Sequence, residues 1–95
     1  MDLSEMLELF DKHDEEYLEF HKIENKRSNR PDLHAMLLLS ELQSEDSDMI
    51  AAAEHDIFYL NINLEELAEV ITEDQIIELK RCGIIIEEDS LTFFT

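Results

Sequence analysis

Apolar residues recur at helical spacing from Leu3 to Ile23, through Leu3, Met6, Leu7, Phe10, His13, Tyr17 and Phe20. Glu5, Glu8, Lys12, Glu15, Glu16 and Glu19 fall mostly on the other side. The spacing predicts one long amphipathic helix. Leu3, Phe10 and Tyr17 with Met6, His13 and Phe20 also satisfy a seven-residue repeat, so the stripe could pack on the chain's own core or pair with a second copy. The polar run Asn25 to Arg30 ends this stretch, and Pro31 suits the first position of a new helix. That helix is expected to reach about Gln43, capped by Ser28 or Asn29. Leu33, Met36, Leu37, Leu38, Leu39 and Leu42 make it apolar nearly all round, which predicts the central helix of the core.

Ser44 to Asp48 reads as an acidic turn, and Met49 to Glu54, with Ala51, Ala52 and Ala53, as a short helix. Ile57 to Ile62 alternates weakly and predicts a strand, and Leu64 to Val70 returns to helical spacing. Thr72 followed three residues later by Gln75 is a capping box, opening a helix with Ile76, Ile77 and Leu79 inward. Gly83 sits where such a helix stops in the left-handed conformation. Ile84 to Glu87 and Leu91 to Phe94 flank Glu88, Asp89 and Ser90 as a terminal hairpin. The expected fold class is α+β, mostly helical, in a single domain over 1–95. Residues 1–24 form an added N-terminal amphipathic helix, and 31–95 form the core, which ends in a C-terminal β-hairpin.

Charge changes this picture more than composition does. The 95 residues carry 25 aspartates and glutamates against seven lysines and arginines, a formal net charge of -18, while 44% hydrophobic residues still suffice for one core. Small domains stay soluble with a net charge of about 2 to 8 in magnitude, so the excess points to recognition of a basic partner. Over an expected long axis of roughly 40 Å, the charge comes to about one per 2 Å, near the roughly one per 1.7 Å of duplex DNA. Such a surface repels nucleic acid and anionic membranes. The acidic start and the lack of a long apolar run predict a protein without a membrane span, in the cytoplasm. A single cysteine, Cys82, fits a reducing compartment and reads as buried and inert beside Gly83.

From Pro31 on, the order helix, short helix, strand, helix, capped helix, hairpin resembles a winged-helix domain, over roughly residues 31–95. The stretch Leu64-Glu-Glu-Leu-Ala-Glu-Val-Ile-Thr-Glu-Asp-Gln-Ile-Ile-Glu-Leu-Lys-Arg-Cys-Gly-Ile carries the resemblance, with the cap and the glycine at the bounds of a third helix. Winged-helix domains mostly read DNA with that helix, so the resemblance implies basic or amide side chains at its start. Here it begins with Glu73 and Asp74, and the wing tip holds Glu87, Glu88 and Asp89. The sign is reversed. The chain also loosely resembles uncharacterised small acidic phage proteins, in Arg30-Pro-Asp-Leu-His-Ala-Met-Leu-Leu-Leu and Asp48-Met-Ile-Ala-Ala-Ala-Glu-His-Asp.

No motif of catalysis is present. His13 and His21 share the first helix but stand two turns, roughly 12 Å, apart, too far for one ion. His34 and His55 lie in other segments, and Asp46 to Asp56 lacks the ligand order and central glycine of a calcium loop. One glycine gives no phosphate-cradling loop. His55-Asp56 has no nucleophile beside it, and Lys26, Arg27 and Arg30 are too few for a phosphate-binding patch amid such negative charge. No cofactor or metal is expected, and the chain does not read as an enzyme. The expectation is an inhibitor or DNA mimic that occupies a basic, nucleic-acid-binding surface of another protein. Its contacts would be Asp14, Glu15, Glu16, Glu19, Glu73, Asp74, Glu78, Glu87, Glu88 and Asp89. The alternative is an assembly module that forms a homodimer through Phe10, Tyr17 and Phe20, with the charge serving solubility.

Overall fold

The computed structural model describes residues 1–43, 50–54, 57–87 and 90–94. The fold is α+β: helices α1 (Leu3–Lys12), α2 (Pro31–Leu42), α3 (Leu64–Val70) and α4 (Glu73–Arg81) with strands β1 (Ile50–Glu54), β2 (Ile57–Leu60), β3 (Ile84–Glu87) and β4 (Ser90–Phe94). The strands form an antiparallel sheet in the order β1-β2-β4-β3. Among the described residues no helix is long and apolar enough to cross a membrane. The expected acidic turn, Ser44 to Asp48, lies outside the described residues.

Helix α4 is the hub. Thr72 Oγ1 accepts the Gln75 N–H at 3.2 Å while Gln75 Oε1 accepts the Thr72 N–H at 2.9 Å, so the capping box is formed on both sides. Ile76 and Leu79 are fully buried, and the helix ends at Gly83 with φ of 92°. The core around them joins Met6 and Phe10 of α1, Leu38 and Leu39 of α2, Leu67 of α3 and Ile84, Leu91 and Phe93 of the sheet. Phe58 of β2 stacks on Phe93 across the strand pair, ring centroids 5.0 Å apart. Asn63 caps α3 by accepting the Glu66 N–H, and its backbone exchanges two hydrogen bonds with the Gln43 side-chain amide, at 2.7 and 3.2 Å. That amide ties the end of α2 to the start of α3.

Three local expectations are overturned. Residues 50–54 form strand β1 on the edge of the sheet and not a helix, pairing with β2 in a register that sets Ala52 opposite Tyr59. A helix of about six residues has too few hydrogen bonds to outweigh its nucleation cost, so sheet pairing wins over alanine's helix propensity. Helix α2 is peripheral: Leu33 and Leu37 are 42% and 39% exposed, and only His34, Ala35, Leu38 and Leu39 are buried. Its N-cap is Arg30 without a side-chain bond, while the Ser28 hydroxyl accepts the Arg30 N–H. The first helix stops at Lys12, far short of Ile23, and it is no addition, since Met6 and Phe10 sit in the core.

Candidate functional site

Beyond Lys12 the chain forms two short 3₁₀ turns, Asp14–Glu16 and Phe20–Lys22, that lie along α4 as a strap. Three acids in a row at a helix C-terminus oppose the helix dipole, whereas the basic end of α4 offers them partners. Lys80 Nζ donates to Asp14 Oδ1 at 3.0 Å, and Arg81 Nε to Glu16 Oε2 at 2.8 Å. At the other end of α4, His13 Nε2 lies 2.7 Å and Lys12 Nζ 3.7 Å from Glu73 Oε2. Each end of α4 is thus met by the opposite charge on the strap. Leu18 turns the strap back with φ of 63°, its N–H donating to the Lys80 carbonyl.

The hydrogen bond from Arg81 holds the Glu16 carboxyl below the usual glutamate value of 4.5, and the bond from His13 does the same for Glu73, with Lys12 adding to it. A carboxyl lowered on folding contributes stability that is present above 4.5 and lost as pH falls through the lowered value. Acidification through that range is expected to loosen the strap, read as weaker protection of the Leu18 amide relative to its intrinsic exchange rate at the same pH. His13→Ala should move the Glu73 midpoint back up in an NMR titration, and an unmoved midpoint would mean that the ring does not hold the carboxyl.

The anticipated contact acids divide. Asp14, Glu16, Glu73 and Glu78 are each in an ion pair with a lysine or arginine, Glu78 with Arg27, and Glu19 lies 3.4 Å from the His21 ring. Glu15, Asp74 and Glu87 are exposed and have no ion pair among the described residues. Glu88 and Asp89, at the expected wing tip, lie outside them. All seven lysines and arginines are engaged within the chain. Lys12, Lys22, Lys80 and Arg81 hold the strap and α4, Arg27 pairs with Glu41, Arg30 with Asp32, and Lys26 donates to the Ile23 carbonyl. The Asn25 to Arg30 stretch is therefore used up on its own fold.

What this leaves is a second acidic surface that the sequence reading missed. Glu5, Glu8 and Asp11 on α1 and Glu65, Glu66 and Glu69 on α3 are exposed and carry no ion pair among the described residues. The signal was available, because Leu64–Val70 holds three glutamates and no cation. Between these acids runs an apolar seam along α1. Leu3 and Leu7 line a groove with Ile62, Leu64 and Glu65, and Leu7 and Phe10 line another with Ile85, Ile86, Asp11, Asp14, Lys80 and Glu87. Leu7 belongs to both, 38% exposed.

The aromatic stripe expected to pair two copies is not a single surface. Phe10 is 4% exposed within the core, whereas Tyr17 lies beneath Lys80 Nζ and Phe20 sets its ring edge against His34, both in the strap region. His34 is fully buried; its Nδ1 accepts the Arg27 N–H at 3.0 Å, which places the proton of the neutral ring on Nε2. That nitrogen stands 3.2 Å from Glu78 Oε2 outside hydrogen-bonding geometry. Burial pushes the Cys82 thiol up to about 12, so the neighbouring cations do not activate it. His55, with Asp56, lies outside the described residues. Among those described, no three histidine, cysteine or acidic side chains converge as metal ligands. Comparison with family models, curated proteins and solved structures finds no match to this chain.

Proposed function

We propose that the protein is a non-enzymatic, cytoplasmic binding protein that occupies a basic, nucleic-acid-binding surface of a partner protein, in the manner of a DNA mimic, and does not itself bind nucleic acid. The observation that carries this reading is the partition of charge. Every lysine and arginine makes an internal contact, while α1 and α3 present six exposed carboxylates that carry no ion pair among the described residues. The Cα positions span 29 Å along the longest axis, shorter than the length expected from the sequence, so 18 net charges over 29 Å come to about one per 1.6 Å, beside the roughly one per 1.7 Å of duplex DNA.

A winged-helix-like scaffold is part of the proposal. It draws support from a helix, α2, ahead of strand β2, from the pair α3 and α4 that follows, and from a hairpin whose second strand, β4, pairs with β2. Strand β1 and the N-terminal region lie outside that scheme. In it α4 would be the DNA-reading helix. Its start is acidic, and its basic end is held by Asp14 and Glu16.

The test is capture and displacement. The immobilised protein is expected to retain nucleic-acid-binding proteins from lysate at low salt and to release them by about 0.5 M salt, where screening is nearly complete. In fluorescence anisotropy the free protein should displace labelled duplex from the captured partner. Partners that keep their DNA bound, or no basic partner at low salt, would overturn the reading.

A further inference from the structure

We infer that the seam along α1 is the anchoring part of this surface and that it takes a basic amphipathic helix of the partner. This rests on the proposed function and adds the element that docks. Long-range charge steers association, but affinity and register come from apolar anchors seated in a pocket. Along α1 the acidic surface offers such a place. Leu7 stands half out of the fold between two grooves, flanked by Ile62 and Leu64 toward one end and by Ile85 and Ile86 toward the other.

The rim supplies the charge complementarity. Glu65 borders the first groove, and Asp11, Asp14 and Glu87 border the second. Asp11 and Glu87 carry no ion pair among the described residues, so both are open to a lysine or arginine. Asp14 is already held by Lys80, whose ammonium is nearly buried in the groove floor. A partner cation would share that carboxylate or displace Lys80 from it. The seam follows α1, whose ten residues run about 15 Å, the length of three turns of a docked helix. Such a helix would set apolar residues at i, i+3 and i+7 onto Leu3, Leu7 and the isoleucines while its basic flank meets the rim. An extended strand added to β3, the edge of the sheet, would reach only the second groove.

The probe is a dye-labelled peptide of about fourteen residues with leucines at helical spacing and lysines between them, set against a scrambled peptide of the same composition. In anisotropy with the full-length protein, the patterned peptide is expected to bind more tightly and to lose affinity as salt rises. Leu7→Ser should weaken it about tenfold or more, as for a central anchor. Asp11→Asn should weaken it more than Glu8→Gln, although each removes one charge. NMR shifts of the unaltered protein should concentrate at Leu3, Leu7, Leu64 and Ile86, which needs no variant to fold. Shifts gathered elsewhere, equal binding of both peptides, or indifference to Leu7→Ser would overturn the docking inference while leaving the broader reading intact if the natural partner is still captured. Failure of both peptides together with failure of partner capture would overturn both.

Discussion

Leu79→Ala should lower the free energy of unfolding by about 2–5 kcal/mol, the range for deleting a fully buried leucine side chain where the walls collapse only in part. Leu79 has no exposed surface, and its helix meets α1, the strap, α2 and β3. A large cost follows because Leu79 lies wholly within the core cluster that joins α1, α2, α3 and the sheet. Domains of this size are stable by about 5–15 kcal/mol, and self-repulsion among the carboxylates draws on that margin already. The variant is therefore expected to be partly unfolded at physiological temperature. Urea denaturation followed by circular dichroism should show a lower midpoint with the slope unchanged. A loss under about 1 kcal/mol would mean that α4 is not the packing centre.

Gly83→Ala is the second large effect, and its cause lies in the backbone. Gly83 ends α4 at φ of 92°, where an L side chain is strained, and a Cβ there would stand 2.8 Å from Leu18 Cδ2. The two penalties separate. The Leu18 side chain is 61% exposed and can rotate away, so the collision is cheap to relieve, whereas the positive φ is fixed by the turn into β3. The expected loss is about 1–3 kcal/mol, most of it backbone strain. Adding Leu18→Ala to Gly83→Ala should recover only a minor part. Full recovery would assign the cost to the collision, and no loss at all would mean that the turn accepts another conformation.

These two residues also mark how far the sequence could be read. Thr72, Gln75 and Gly83 announced α4 because capping and left-handed termination are local events, settled within four residues. The stretch from His13 to Ile23 could not be read that way. The spacing of His13, Tyr17 and Phe20 serves a continuing helix and a chain that tucks the same rings back against α4 and α2 equally well. The choice is made by Lys80 and Arg81, which reach Asp14 and Glu16 across 66 and 65 residues of sequence. Residues 50–54 failed for the same reason, since their backbone bonds belong to β2. At the candidate surface the positions of the acids were legible and their sorting was not. Glu73 and Glu78 are as acidic in sequence as Glu65 and Glu69, yet the first two are paired within the fold.

The Gln43 amide that bridges to the Asn63 backbone has no charge to lose. The strap along α4 is held at Asp14, Glu16 and Glu73 by charged partners. The Gln43 bridge thus answers to heat and denaturant and not to protons, while the strap answers also to protons and ions. Acid or salt is therefore expected to loosen the strap before it loosens the Gln43 bridge.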